Sequence, residues 1–588
     1  MFFLPNGLDF TDEGLYCSDA WRFAQGDSPF LDSLGAFGLS SWWLSWVFHV
    51  FPGCGLLDLR VVWAITMLLY AFVTAALLLR YFSPITSFAG AAIGLFFATS
   101  GTTKVLNYNT MPILGLLVAV WLWLFACRQR GKFQLLLAGG AGVAAFLATT
   151  CRISLLPIVL LPVSTVLYDY FCGIKMEGRL QTIIAFLATY IGGLACFFLA
   201  VFIAGLSGNL FASLVASTTV PGHSLHELIV NLRDSTFYYL LPAIPILFVL
   251  FIKRFRSMKA LIKQHKRIVL CIIVPVLISC LAIVVLNWDA TFKVAGWLKR
   301  GILDLSLDPF ARPSRGSLLF LLALAIALVL ANTIFHVFYS RLRKEGAKTH
   351  DIYRLGFIAV FLSFLMIPGT NNVPASSIKA ISYLPLAMAF CLSWSWVLEQ
   401  KKGAVNINIR WFAGIALVFL SLVYLFYGIV PGCYPYRDSY VGELTGHASA
   451  TKLCGIITTS ERAHIADQLI EAVKSNSEPG DRILAYENLP MLYYLTDRLP
   501  SVKTTWLTET FPKSLRESIL EDMINRDRLP QLVIRATYTT RNPRWPEVQR
   551  PLYWKGNQQE TDPIDKYVRE HYKVLQDVDG FQIMVPME

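Results

Sequence analysis

The sequence predicts a polytopic α-helical membrane protein with a C-terminal α/β domain on the outer side. Three observations carry that reading. The chain has 588 residues, 55% of them hydrophobic and only 15% charged, and its mean hydropathy is +0.53. Soluble proteins run at roughly 45–50% apolar and about 25% charged, so this much apolar surface cannot be hidden in one water-soluble core, and disorder is excluded too. Apolar runs of spanning length follow one another between residues 58 and 430 and have stopped by about 455. The formal charge of +12 is unevenly shared: residues 1–454 carry 34 cations and 19 acids, residues 455–588 carry 17 and 20. A basic balance confined to the membrane half records orientation, which removes nucleic acid as a partner.

The runs predict about twelve spans, at 58–80, 85–100, 111–126, 134–150, 153–171, 180–206, 237–252, 267–287, 316–339, 355–370, 378–398 and 410–430. Alternate loops hold Arg128, Arg130 and Lys132; Lys175 and Arg179; seven cations from Lys253 to Arg267; Arg341 to Arg354; and Lys401, Lys402 and Arg410. By the positive-inside rule these loops are cytoplasmic. The N-terminus, the 207–236 and 288–315 loops and everything after 430 then face outward. Four regions result: an acidic loop with interfacial helices at 1–57, the membrane domain at 58–430, a linker at 431–454 and the outer domain at 455–588. Twelve spans put Met1 outside, yet MFFLPNGL is too short for a span or a signal peptide; either this short tail crosses with the first hairpin or, the favoured reading, a further helix upstream is expected.

Beyond residue 455 the pattern changes to alternating helices and strands. SERAHIADQLIEAVKSNS reads as an amphipathic helix capped by Ser460, EPGD as a turn and RILAY as a short buried strand. NLPMLYYLTD and SLRESILEDMINRD read as helices, QLVIRA as a second strand and IDKYVREHY as a third helix. KVLQDVDGFQIMV predicts a hairpin turning at Asp579-Gly580. Such alternation over about 130 residues makes an α/β domain. It contains no phosphate loop, nucleophile elbow or metal-ligand spacing. Cys433 and Cys454 flank the approach to it; an outward disulfide and two separate thiols both fit the sequence.

Charge is rare enough in residues 1–454 that its placement is informative. Six of the 19 acids, Asp9, Asp12, Glu13, Asp19, Asp27 and Asp32, fall in the first 32 positions. Acids contribute little to topology, so they are solvated loop residues or a site. The surrounding NGLDFTDEGLYCSDAWRFAQGDSPFLD resembles the first outer loop of the GT-C superfamily of polytopic glycosyltransferases, which includes the protein O-mannosyltransferases and the lipid A aminoarabinose transferases. The resemblance rests on Asp12, Glu13, Gly14, Tyr16, Ala20, Gly26, Asp27 and Pro29, on the Trp-rich SSWWLSWVFHVFPG as an interfacial helix, and on Arg60 in DLRVVWA. LNYNTMPILGLL, ATTCRISLLPIVLL, PGTNN and GDRILAYENLPMLYYLTDRLP also look like segments of that family, in the same order.

The resemblance implies a GT-C-like fold in a bacterial inner membrane and transfer of a sugar, with inversion, from a polyprenyl-phosphate donor to a lipid, glycan or protein acceptor at the outer face. The chemistry asks for the same residue types. The incoming hydroxyl or amine needs a carboxylate to accept its proton, and the leaving phosphate needs cations. Asp12 is the expected acceptor-activating carboxylate and Glu13 its assistant, with Tyr16 beside them as an expected substrate contact. Arg60, Lys104, Arg152 and Lys379 are the expected phosphate partners, although each also sits where a snorkelling cation is routine. Asn107, Tyr108, Asn109, Asn371 and Asn372 are the expected sugar contacts, against an ordinary role in turns.

No cofactor is required by the sequence; a divalent cation at Asp12 and Glu13 is one option, as in some members of the superfamily. His223, His226 and Glu227 in PGHSLHELIV, and the isolated His49, do not follow a zinc-protease order. Two other classes stay open: a multi-span lipid or glycan transporter, disfavoured by the missing repeats and mid-span acids, and a non-catalytic assembly subunit using its outer domain to bind a partner.

Overall fold

The computed structural model describes residues 3–34, 38–99, 103–174, 179–219, 315–340, 347–365, 383–400, 435–509, 511–552 and 561–587, with scattered positions between 226 and 246 and residue 296. Among the described residues twelve helices build the first part: α1 Asp12–Ala24, α2 Gly38–Val50, α3 Leu56–Leu78, α4 Pro84–Thr99, α5 Met111–Ala126, α6 Gly131–Cys151, α7 Leu161–Cys172, α8 Arg179–Ile203, α9 Ser207–Thr219, α10 Arg315–Ser340, α11 Ala347–Leu365 and α12 Tyr383–Gln400. A 3₁₀ stretch at Ile153–Leu160 leads into α7. Nine of the expected spans coincide with these helices. The other three, 237–252, 267–287 and 410–430, lie wholly or largely outside the described residues. Among the described residues four stretches, Leu56–Leu78, Gly131–Cys151, Ile153–Cys172 and Arg179–Ile203, are long and apolar enough to cross a membrane. The stretch expected as an outer loop at 207–236 instead begins with α9, because SGNLFASLVASTT has no residue that breaks a helix after Gly208.

Local chemistry sets the ends of these helices. Pro84 opens α4 and the Ser83 hydroxyl accepts from the Thr86 N–H at 3.3 Å. Gly173, at φ +71°, closes α7. At Arg152 the backbone is extended, which separates α6 from the 3₁₀ stretch and leaves the guanidinium at a helix junction. The helices pack through small residues, as lipid-embedded bundles do. A Cβ on Gly142 of α6 would stand 2.4 Å from the Phe186 carbonyl of α8, and one on Gly115 of α5 would stand 2.9 Å from the Ala144 carbonyl of α6. The faces turned away from these contacts are oily: Ile65, Leu68 and Phe72 on α3 and Ile184, Phe198 and Phe202 on α8 are all exposed. Water would penalise such faces and lipid does not, which fits a multi-pass membrane protein.

The C-terminal α/β domain, called outer after its expected side, follows the sequence pattern closely. Helices α13 Ser460–Ser475, α14 Met491–Thr496, α15 Lys513–Asn525 and α16 Pro563–His571 surround a five-stranded sheet in the order β4-β3-β5-β7-β6. Its strands are β3 Arg482–Tyr486, β4 Leu499–Pro500, β5 Leu532–Ala536, β6 Tyr572–Val578 and β7 Phe581–Pro586. β3 runs parallel to β4 and β5, and β7 runs antiparallel to β5 and β6. Ile483 to Tyr486 are buried on both faces, as parallel core strands are. The hairpin turns at Asp579 (φ 48°) and Gly580 (φ 83°). Thr459, not Ser460, caps α13: its hydroxyl accepts from the Arg462 N–H at 3.3 Å.

Residues 3–34 are embedded in this outer domain rather than standing apart as a loop. A small ladder of β1 Gly446–His447 and β2 Ile457–Thr458 is extended by Asn6, which bridges Ile457 in parallel. Ser18 Oγ donates to the Pro490 carbonyl at 2.5 Å and accepts from the Tyr494 N–H at 3.2 Å. Gly14 is required where α1 crosses α14, since a Cβ there would meet the Met491 nitrogen at 2.5 Å. The expected 431–454 linker is, from residue 435 on, folded in as well: buried Asp438 accepts from the Leu8 N–H, the Thr458 hydroxyl and Arg462.

Candidate functional site

Of the six early acids Asp9, Glu13, Asp27 and Asp32 are buried and Asp12 and Asp19 partly exposed; each has its own partners, and this separates them chemically. Asp9 accepts from the N–H groups of Thr11 (3.0 Å) and Glu13 (2.9 Å), capping the first turn of α1. Asp19 takes the Thr505 hydroxyl at 2.8 Å, Asp27 bridges Arg22 and Arg482, and Asp32 bridges Arg526 and Arg528. These three acids clamp the N-terminal segment onto the outer domain. Glu13 gives both carboxylate oxygens to Arg60, at 2.8 and 2.7 Å. That leaves Asp12.

Asp12 stands in the first turn of α1 with its side chain 16% exposed. The Tyr436 hydroxyl donates to its Oδ2, and the Arg437 guanidinium lies 2.9 Å from the same oxygen while also reaching the Thr11 hydroxyl. Burial lifts the Asp12 carboxyl above its usual range; Arg437 and the Tyr436 hydroxyl pull the other way, and Asp9 adds to the rise. Burial and the neighbouring Asp12 charge likewise push the Tyr436 phenol up. Arg541 of the outer domain, which lies over the Trp506 ring, adds a further cation to the field at Asp12. Tyr436, Arg437 and Arg541 were not singled out from the sequence. The only signal was the polar cluster YRD directly after the last apolar run.

One turn of α1 further on, Tyr16 meets Tyr108 edge to face, with ring centroids 5.9 Å apart. The Arg152 guanidinium lies 5.0 Å over the Tyr108 ring, donates to the side-chain amide oxygen (Oδ1) of Asn109 and reaches the Ser154 hydroxyl at 2.8 Å. Arg152 and Asp12 therefore share Tyr16 as a neighbour. Asp12, Tyr16, Tyr108, Asn109 and Arg152, expected from the sequence, come together in one continuous cluster where the membrane helices meet the outer domain.

The remaining expected residues are placed elsewhere or serve the frame. Arg60 is 2% exposed and, besides Glu13, donates to the carbonyls of Leu4 and Gly7 at 2.8 and 2.7 Å. Lys104 donates to the carbonyls of Phe3 and Asn6. Asn107 builds a turn, donating to Thr103 and Val105 and accepting from the N–H groups of Asn109 and Thr110. Asn371, Asn372 and Lys379 lie outside the described residues, as do Cys433 and His223. A cation shared by Asp12 and Glu13 does not fit these partners, since Arg60 takes both Glu13 oxygens. Cys454 is exposed, and His49 and His226 are exposed.

No protein-family model matches the chain, and no curated protein matches it. Among solved structures the chain is similar to the oligosaccharyltransferase of Archaeoglobus fulgidus. The apo form superposes with a TM-score of 0.41 at 11% identity, over 90% of this chain and 66% of that one. The complex of the archaeal enzyme with an inhibitory peptide and a dolichol-phosphate gives 0.38 at 11% identity, over 90% and 66%. The form tethered to an acceptor peptide gives 0.40 at 12% identity, over 90% and 65%. The present chain thus spans just under two thirds of the length of these archaeal proteins.

Proposed function

We propose that this chain is an integral membrane glycosyltransferase. It moves a sugar from a polyprenyl-phosphate donor to a hydroxyl or amine of a lipid, glycan or protein acceptor at the outer face of a bacterial inner membrane. The observation that carries the reading is the setting of Asp12. Its carboxylate is anchored on one oxygen by Arg437 and Tyr436, and its proton affinity is raised by burial. A carboxylate so placed is a positioned base.

In the proposed reaction the acceptor oxygen or nitrogen attacks the anomeric carbon from the face opposite the phosphate, and the configuration inverts. The acceptor's proton passes to Asp12. The bond between the anomeric carbon and the phosphate oxygen breaks, and the lipid phosphate leaves with the bonding pair. Arg152, held over Tyr108, is the cation proposed to take the growing phosphate charge. Asn109, Tyr16 and Tyr108 are the proposed sugar contacts. Asn371, Asn372 and Lys379 remain proposals of the same kind from the sequence.

The test is direct. Protein purified in lipid is given polyprenyl-phosphate sugars and an envelope extract as acceptor, and release of polyprenyl phosphate is measured. Asp12→Asn and Arg152→Gln are expected to insert normally and lose at least about 100-fold in rate, the scale of a positioned base or charge stabiliser. Full activity in Asp12→Asn overturns the reading.

A further inference from the structure

The opposite end of the helical bundle carries a cluster that the transfer reaction does not use. The 3₁₀ stretch and α7 lead away from Arg152 to Cys172 over about 30 Å of helix. There Cys172 of α7, His336 of α10 and His350 of α11 converge, with one potential ligand atom from each inside a 4.8 Å span. The two imidazoles face each other, His336 Nε2 lying 3.4 Å from His350 Nδ1. Cys172 and His336 are buried and His350 is partly exposed.

We propose that these three side chains form a binding site for a zinc ion that ties α7, α10 and α11 together. The donor set and the spacing argue for it. Zinc takes imidazole nitrogens at about 2.0–2.1 Å and thiolate at about 2.3 Å in tetrahedral array, which sets its ligand nitrogens about 3.3 Å apart and sulfur from nitrogen about 3.6 Å. The imidazole pair already stands at the first of these distances, and closing the thiol onto it needs a side-chain shift of about 1 Å. Mixed N₂S donors select zinc over hard cations such as magnesium or calcium.

The surroundings hold the ligands in orientation, as outer partners of metal ligands do. Tyr353 stacks on His336 with centroids 4.0 Å apart, and the Tyr168 hydroxyl donates to the His350 carbonyl at 3.0 Å. The nearby charges are already matched among themselves: Asp169 with Arg179 and Arg354, Asp351 with Arg128 and Arg354. With Arg128, Arg179 and Arg354 clustered here, this end is cytoplasmic by the positive-inside reading, where a cysteine stays reduced and available as a ligand.

The experiment uses the full chain in lipid, stripped with a chelator and titrated with cobalt(II) alone, then with zinc. One cobalt per chain is expected, with a thiolate-to-cobalt charge-transfer band in the near ultraviolet that zinc abolishes. Cys172→Ser should remove the band, and His350→Ala should weaken zinc binding at least tenfold, whereas Cys196→Ser, at an exposed cysteine of α8, should change neither. Zinc should raise the melting temperature of the wild type and not of Cys172→Ser. Absence of stoichiometric binding, or a band that survives Cys172→Ser, overturns the proposal and leaves the imidazoles as a hydrogen-bonded pair. If His336→Gln fails to insert, the near-isosteric Cys172→Ser and the partly exposed His350→Ala still decide the question.

Discussion

The Arg437 guanidinium lies 2.9 Å from Asp12 Oδ2, and these two residues come from opposite ends of the membrane domain in sequence. Arg437 and the Tyr436 hydroxyl both lower the proton affinity that burial raises at Asp12. In the proposed transfer the base must be ionised to accept a proton, so the acid limb of kcat/KM would report this carboxyl. Removing either neighbour lets its pKa rise. Tyr436→Phe and Arg437→Gln are therefore expected to shift the acid limb of sugar transfer to higher pH, Arg437→Gln by more. A limb that stays put in both variants would mean that another group sets the protonation requirement.

Arg60 and Glu13 make the opposite kind of pair. Their side chains are 2% and 3% exposed, and the guanidinium also holds the Leu4 and Gly7 carbonyls. Removing one member leaves a buried charge without compensation, at a cost of about 3–5 kcal/mol. Arg60→Met is expected to lower the yield of folded protein and its melting temperature by several degrees. Glu13→Gln combined with Arg60→Gln should recover part of the loss. A residue that instead held the donor phosphate would raise KM and leave folding intact. Thermal melts beside donor titrations separate the two outcomes.

The division between Asp12 and Glu13 shows where sequence reading ends. The pair is adjacent in the chain, and both residues fall in the acidic first turn of α1. A helix turns by about 100° per residue, so adjacent carboxylates leave in different directions: one meets Arg60 of α3, the other Tyr436 and Arg437. Nothing local encodes those partners, since Tyr436 lies 424 positions from Asp12. What was legible is what depends on near neighbours. Apolar runs located α3 to α8 and α10 to α12, and period and turn chemistry located β3, β5 and the Asp579-Gly580 hairpin. The docking of Asp19, Asp27 and Asp32 was not legible, because exposed loop acids and docking acids look alike until the other surface is present.

That docking surface makes its own prediction. Asp27 bridges Arg22 and Arg482, while Asp32 accepts from Arg526 and Arg528 and from the Ser28 N–H. The hydrogen bonds from Ser28, Arg526 and Arg528 outweigh burial and hold the Asp32 carboxyl below its ordinary value. A lowered carboxyl adds stability that is present above the unfolded pKa and is lost as pH falls through the folded one. Asp32→Asn should therefore loosen the outer domain at neutral pH by about 1 kcal/mol and make little difference once the pH has fallen below the lowered pKa of the folded carboxyl. Limited proteolysis of residues 482–536 in wild type and variant, at neutral pH and after a brief acid pulse, measures this. Equal protection at neutral pH would show that the clamp contributes nothing.

Glu487 carries the reverse sign, and this separates the outer domain's internal electrostatics from its docking. Its carboxylate lies 2.7 Å from Arg516 and both side chains are 1% exposed. Burial pushes the Glu487 carboxyl up to about 7; Arg516 opposes that, and Glu509 and Asp562 reinforce it. The unfolded carboxyl titrates near 4.3. Between about pH 4.3 and 7 the folded chain holds a proton that the unfolded chain has released, so stability falls as pH rises through that window and levels off above it. Glu487→Gln keeps a hydrogen-bond acceptor for Arg516, which retains Asp562 as its charge partner at 2.5 Å, but it cannot titrate. The melting temperature of the wild type is expected to drop relative to Glu487→Gln between pH 5 and pH 7.5, and the two curves to run parallel from about pH 8 upward. Parallel curves across the whole range would show that Glu487 is already ionised at pH 5, with Arg516 outweighing burial.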